Sequence, residues 1–151
     1  MERKVLVNEI GLDEDEVPEE PRTKPLEEYS PREIGREGER LAAEYLTRRG
    51  MEVIERNWRC AMGEADLICL EDDMVVLVEV KTRLRLGEGG DEVPELAVDH
   101  EKRNRYRRIA LFYLAMHPNI FSVRFDVIAL NIVAEHAAHL RHLVGAYEFE
   151  E

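Results

Sequence analysis

Met74-Val-Val-Leu-Val-Glu-Val-Lys81 is the stretch that decides the fold of this 151-residue chain. Five apolar residues precede Glu79, and a Val-rich run of this length predicts a strand buried on both faces. Because side chains alternate along a strand, Glu79 and Lys81 should project from the same face. Burying unpaired charge is costly, so both groups need partners. A local salt bridge is one explanation, and a metal-dependent site beside a reacting phosphate is the other.

The preceding segment places a second carboxylate opposite Glu79. Residues 64–70 predict a strand on which Glu64 and Asp66 share a face. Asp72-Asp73 predicts a tight turn into the next strand. A turn centred there sets residue 66 opposite about residue 79, so the two carboxylates can converge if they take the same face. This geometry favours a site over a chance match to Glu-x-Lys.

A first helix should begin at Ser30-Pro31-Arg32-Glu33 and end at Arg49, before Gly50. Serine as N-cap, proline at the first helical position and glutamate three residues after the cap are typical of a helix start. Glu39 lies at the edge of the apolar stripe of this helix. It is either solvated or turned towards a polar site over the sheet.

A second helix should follow a Gly-rich, charged segment, residues 82–94, which we expect to be a mobile loop beside the site. Asp99 can cap this helix, which should run to about His117. Lys102 lies one turn before its apolar stripe and can point at the site. Residues 121–132 predict a further strand.

Polar residues near the C-terminal end have simpler explanations. Asp126 should pair locally with Arg124, and three histidines at positions 136, 139 and 142 should be solvated, because their spacing fits no compact metal site. A last strand is expected at residues 140–144.

The composition indicates a soluble, cytoplasmic, globular protein that contacts no membrane. Hydrophobic residues make up 44% of the chain. No apolar run approaches the ~20 residues of a membrane span, and the acidic N-terminus lacks the layout of a signal peptide. We expect an acidic, mobile arm at residues 1–30, one domain at 31–147 and an acidic tail at 148–151. A short strand near Val5 is the less favoured alternative for part of the arm.

The net charge of −12 opposes tight, nonspecific binding to nucleic acid, which depends on neutralising phosphates. Residues 1–34 carry half of this charge, with 11 acidic and 5 basic side chains. Basic residues nevertheless cluster in two segments: Lys81, Arg83 and Arg85, then Lys102, Arg103, Arg105, Arg107 and Arg108.

The order helix, three-strand meander, helix, strand (αβββαβ) resembles the restriction-endonuclease-like core of the PD-(D/E)xK superfamily. More closely, residues 35–147 resemble the YraN family of bacterial proteins, which look like relatives of the archaeal Holliday-junction resolvases. The blocks that carry the resemblance are Gly35-x-x-Gly38-Glu39-x-x-Ala42-x-x-Tyr45-Leu46, Arg56-Asn57-Trp58-Arg59, Gly63-Glu64-Ala65-Asp66-Leu67-Ile68, Val78-Glu79-Val80-Lys81-Thr82-Arg83, Lys102, Ala110-x-x-Tyr113-Leu114 and Arg124-Phe125-Asp126-Val127-Ile128.

The resemblance implies an α/β fold with a central mixed sheet flanked by helices, and nuclease chemistry by analogy. Asp66 matches the first metal-binding carboxylate, Glu79 the second and Lys81 the motif lysine. Glu39 matches the first-helix glutamate of the resolvase-like branch. These four residues form the expected catalytic set.

The expected cofactor of such a site is Mg²⁺ or Mn²⁺, with the Val80 carbonyl as a third oxygen ligand beside the two carboxylates of Asp66 and Glu79. The DNA backbone would contact four basic residues: Arg83, Arg85, Lys102 and Arg103.

Two functions of different classes follow. One is a metal-dependent endonuclease that hydrolyses phosphodiester bonds in DNA, including branched or junction DNA. The alternative is a non-catalytic nucleic-acid-binding or partner-docking module of the same fold. The acidic balance favours this alternative, or a protein partner that supplies the DNA affinity. A homodimer is a further expectation, because resolvase-like proteins meet two-fold-symmetric junctions.

Overall fold

A single sheet of six strands organises the computed structural model, which describes residues 2–8, 24–86, 100–135 and 137–147. A short 3-10 turn, Leu26–Glu28, precedes the first helix. In chain order the elements are β1 (Glu2–Asn8), α1 (Pro31–Arg48), β2 (Glu52–Cys60), β3 (Gly63–Glu71), β4 (Met74–Leu84), α2 (His100–Met116), β5 (Val123–Ala134) and β6 (Ala137–Tyr147).

The strands lie in the order β1-β6-β5-β4-β3-β2. β4 pairs parallel with β5, and the other neighbouring strands of the described sheet pair antiparallel. A parallel pair needs a long crossover, and α2 lies on the connection between β4 and β5. This is the predicted mixed α/β architecture, and it is compatible with a restriction-endonuclease-like core.

The central strand β4 is buried on both faces, as its Val-rich sequence predicts. Val76 and Val78 pack with α1, whereas Val75 and Leu77 pack with α2. The two helices therefore cover opposite faces of the sheet, and the period-2 alternation of β4 divides its side chains between two apolar cores. Because Glu79 continues this alternation after Val78, it lies on the α2 face.

The start of α1 agrees with the prediction. The Ser30 side chain accepts a hydrogen bond from the Glu33 backbone N–H, and the Glu33 side chain accepts one from the Ser30 N–H, which completes a capping box. Farther along α1, Gly38 faces β4, where a Cβ atom would collide with the Thr82 side chain. Glycine at this position lets α1 approach the strand that carries Glu79.

Residues 2–8 form a strand, the less favoured of the two structures that the sequence predicts for the acidic arm. β1 pairs antiparallel with β6, with Glu2 opposite Leu143 and Asn8 opposite Ala137. The acidic composition of the arm did not reveal this pairing, because the partner strand lies more than a hundred residues away in sequence. The division into an arm, a domain and a tail stays a prediction, and the tail lies outside the described residues.

The segment predicted as a loop, residues 82–94, begins as strand, because β4 continues to Leu84. β4 pairs with β5 as far as Leu84, which stands opposite Ile132, so the Gly-rich sequence follows the end of the strand. Residues 87–94 of the predicted loop, and the expected cap Asp99, lie outside the described residues. In the described part of the chain, no helix is long and apolar enough to cross a membrane.

His142 is buried, and the prediction of a solvated histidine there was wrong. Its side chain is 1% exposed, and Nε2 lies 2.8 Å from Oδ2 of the fully buried Asp126. Nδ1 lies 3.1 Å from the Tyr45 hydroxyl on α1. β6 is longer than predicted and carries His142 inwards, opposite Ile128 of β5.

Asp126 pairs locally with Arg124, as predicted, and also holds other partners. Arg124 Nε donates to Asp126 Oδ1 at 2.9 Å, and the backbone N–H of Gly145 donates to the same oxygen at 2.9 Å. Arg124 also bonds to Glu71 at 2.9 Å. Although burial opposes ionisation, the hydrogen bonds from His142, Arg124 and the Gly145 N–H lower the pKa of Asp126. This buried network ties β3, β5, β6 and α1 together.

Candidate active site

The β3–β4 hairpin brings the two predicted carboxylates together. Leu67 stands opposite Val78 and Glu71 opposite Met74, with the turn at residues 72–73. The described pairing ends at Leu67 and Val78, one residue before Asp66 and Glu79, and there the Asp66 side chain bonds to the Val80 backbone N–H. The short hairpin, rather than a long-range contact, therefore fixes the separation of the two groups along the sheet.

Asp66 is anchored across the hairpin and is surrounded by negative charge. Its Oδ2 accepts a hydrogen bond of 2.8 Å from the Val80 backbone N–H, which lowers its pKa. Burial, followed by the charges of Glu39, Glu79 and Glu64, acts in the opposite direction and raises the pKa of Asp66 to about 7. An ionised Asp66 at neutral pH is thus stabilised by any cation that comes close to it.

Glu79 is the most deeply buried carboxylate of this site, with 12% of its side chain exposed. Its Oε1 accepts a hydrogen bond from Lys102 Nζ of α2 at 3.1 Å, so Lys102 points at Glu79 rather than outwards. Oε2 is buried and has no hydrogen-bond partner among the described residues. A buried carboxylate oxygen without a partner is costly, and a bound cation would satisfy it.

Glu39 turns towards the sheet rather than to solvent. Burial raises its pKa, and the nearby charge of Glu64 adds to this effect, whereas a hydrogen bond to the Asn57 side chain lowers it. Asn57 lies in β2 with a positive φ of 50°, a conformation that asparagine tolerates better than most residues. Asn57 was missed as a site residue, although it belongs to one of the sequence blocks that carry the family resemblance.

The predicted basic residues lie along two elements. Lys81 stands opposite Ala129 and Arg83 opposite Asn131 in the β4–β5 pairing, both half-buried. Lys81 follows Glu79 by two residues on one strand, so both side chains leave from the same face. Exposed Arg85 follows the end of β4, and exposed Arg103 lies in the first turns of α2. Of the predicted set, the described contacts and charges bring together Glu39, Asp66, Glu79 and Lys102.

The two hairpin carboxylates are the groups of this site that could hold a magnesium-type ion. In the described ranges, no group of three or more His, Cys, Asp or Glu side chains is arranged to hold a metal. Mg²⁺ is commonly held by one or two carboxylates and keeps several waters. The unpartnered Glu79 Oε2 and the mutual repulsion at Asp66 both suit such an ion. The Val80 N–H fixes Asp66, and its carbonyl stays a predicted ligand.

Asp66→Asn should make the protein more stable at alkaline pH in the presence of EDTA. A raised pKa gives stability that is present below the unfolded-state pKa of about 4 and is lost as pH rises through about 7. From pH 4.5 to pH 8, the free energy of unfolding of wild type should fall by about 2 kcal/mol relative to that of the variant, after allowance for solvent screening. Urea unfolding at both pH values measures the gain.

The matched control for this prediction is Asp73→Asn, which removes a carboxylate at an exposed turn position. A stability difference between Asp66→Asn and wild type that is the same at both pH values would contradict the predicted burial and repulsion.

Comparison with known proteins identifies relatives along most of the chain. A family model described as "Uncharacterised protein family UPF0102" matches residues 38–130. A UPF0102 protein of Rhodococcus opacus is 45% identical over 115 residues, which cover 76% of this chain and 95% of the relative. A UPF0102 protein of Thermodesulfovibrio yellowstonii is 41% identical over 99 residues, covering 66% and 86% of the two chains. One of Geobacter sulfurreducens is 40% identical over 116 residues, covering 76% and 88%.

Proposed function

The chain belongs to the uncharacterised protein family UPF0102, the YraN family that its sequence resembles, and from this membership and its site we propose that it is a metal-dependent DNA endonuclease. The observation that carries the proposal is the pair Asp66 and Glu79, held across one hairpin, with a buried Glu79 oxygen that has no partner among the described residues. Lys81, two residues beyond Glu79, completes the set of groups that phosphodiester hydrolysis requires.

Asp66 and Glu79 would hold Mg²⁺ or Mn²⁺, with the Val80 carbonyl as a further oxygen ligand. Such an ion, when bound, supplies Lewis-acid stabilisation of the phosphate and activation of a water. The Val80 N–H keeps Asp66 in place by its 2.8 Å hydrogen bond. Burial of Glu79 limits competition by bulk water, which strengthens its interaction with a cation.

Lys81 would orient the attacking water and offset the negative charge that develops on the phosphate. Glu39, held by Asn57, lies close enough to raise the pKa of Asp66 and would position a second water or ion. Arg83, Arg85 and Arg103 would contact the DNA backbone, which positions the substrate without reading its sequence. The enzyme would act in the cytoplasm, and a homodimer would present two such sites to a two-fold-symmetric junction.

A non-catalytic docking module is the second candidate, and the net charge of −12 favours it. A strongly acidic protein gains little affinity from the phosphate backbone. In this alternative a protein partner supplies the DNA affinity, and the hairpin site does not cut.

The decisive experiment is to titrate Mg²⁺ and Mn²⁺ into the purified protein with flap, four-way-junction and linear DNA at low salt. Metal-dependent cleavage of a branched substrate by wild type, and none by Asp66→Ala, is the expected result. Low salt matters because phosphate contacts weaken steeply as salt rises. DNA that stays intact at every metal concentration, in samples that bind it, would favour the docking module instead.

A further inference from the structure

Lys102 occupies the position at Glu79 where a metal ion's charge would act. The ion pair between Lys102 Nζ and Glu79 Oε1 measures 3.1 Å, and it joins two residues that lie 23 positions apart, on α2 and β4. One third of the Lys102 side chain is exposed, against 12% of Glu79. The lysine therefore reaches the buried carboxylate from the solvent side of the site.

The exposure of Lys102 makes this contact easy to give up. Its ammonium is held at Glu79 by an ion pair between side chains of two different elements, α2 and β4. Loss of Glu79's charge to another cation would remove this attraction and leave the ammonium able to move. A four-carbon stem with one third of its surface exposed has room to do so.

A divalent cation at Glu79 and Lys102 at Glu79 exclude each other electrostatically. Oε2 of Glu79 lies on the same carboxylate as the oxygen that Lys102 holds, and it has no partner among the residues described. A cation that binds there comes within a few ångströms of the ammonium, in a half-buried site where screening by water is reduced. The single negative charge of Glu79 can neutralise only one of the two cations. A divalent ion interacts with this charge more strongly than the Lys102 ammonium does.

We propose that Lys102 is a displaceable counter-ion, which neutralises Glu79 in the cation-free protein and is released towards a nucleic-acid phosphate when a divalent cation binds. The inference rests on the proposed function of the site and goes beyond it, because it couples the binding of the cation to the binding of the substrate. By linkage the coupling is reciprocal, so phosphate binding to Lys102 also strengthens cation binding. Lys102 thus acts as a positioning residue.

The test is calorimetric titration of Mn²⁺ alone into the full chain, as wild type and as the variants Lys102→Met, Lys102→Arg, Arg107→Met and Asp66→Ala. Removing the competing ammonium should tighten Mn²⁺ binding by Lys102→Met at least about fivefold. Lys102→Arg keeps a cation at the position and should bind within about twofold of wild type. Arg107→Met removes the same charge from an exposed position of the same helix and is the matched control.

Equal or weaker Mn²⁺ binding by Lys102→Met than by wild type would overturn this inference alone, provided that Asp66→Ala abolishes binding. Absence of Mn²⁺ binding in both wild type and Lys102→Met, or full binding by Asp66→Ala, would instead overturn the metal site on which the proposed function depends. Thermal unfolding of every variant confirms that each binding result comes from folded protein.

The release of Lys102 is tested by fluorescence anisotropy with labelled junction DNA, in EDTA and in Ca²⁺, for wild type and Lys102→Met. Ca²⁺ should raise the DNA affinity of wild type more than that of the variant, because wild type gains a phosphate contact. Equal gains for the two proteins would overturn the release of Lys102 to a phosphate.

Discussion

Lys81→Ala is expected to abolish DNA cleavage, lowering the single-turnover rate by at least ~10³-fold, without unfolding the protein. Lys81 lies two residues beyond Glu79 on β4, and its charge is the one that the proposed mechanism places against the reacting phosphate. Asp66→Ala should cause a loss of similar size, because it removes one of the two carboxylates that hold the metal. The rate is measured at saturating Mn²⁺ and protein, so that weaker binding does not limit it.

Arg107→Ala serves as the control for the loss of one positive charge, since Arg107 is exposed on α2. Circular dichroism and urea unfolding establish that Lys81→Ala is folded. A Lys81→Ala protein with the full cleavage rate would show that the mechanism is wrong, even if wild type cuts DNA.

Asp126→Ala is expected to lower the free energy of unfolding by about 3–5 kcal/mol. The carboxylate is fully buried and accepts bonds from Arg124, His142 and the Gly145 N–H. Truncation leaves these groups without their acceptor inside the protein, and the half-buried Arg124 charge loses one of its two counter-charges. Urea unfolding at pH 7 measures the loss.

Glu71→Ala is the matched control, because Glu71 also pairs with Arg124 at 2.9 Å but has 44% of its side chain exposed. Its removal should cost no more than about 1 kcal/mol, as is usual for exposed ion pairs. If Asp126→Ala were as mild as Glu71→Ala, the network would be incidental to stability.

Local chemistry predicted most of the candidate site. The turn at residues 72–73 fixed the β3–β4 register, and the apolar stripe of the second helix directed Lys102 towards the sheet. Both conclusions depend on residues close in sequence, where the period of an element determines which side chains share a face.

The features that the sequence did not predict depend on contacts between residues far apart in the chain. His142 was misassigned because its burial depends on Tyr45 and Asp126, which lie 97 and 16 residues away and leave no local pattern around it. β1 depends on β6 in the same way. Asn57 was missed because its positive φ and its bond to Glu39 arise only once β2 has paired with β3 and α1 lies near it.

The shortness of the β3–β4 hairpin has a consequence for the order in which the chain folds. Its strands meet through a tight turn, a closure that takes microseconds, whereas the parallel β4–β5 pair must wait for a crossover of nearly forty residues. We therefore expect Asp66 and Glu79 to come together before α2 delivers Lys102. The nascent hairpin would then meet its own charge repulsion first, and protons or divalent cations in the surrounding solution would be the counter-charges available to it at that stage.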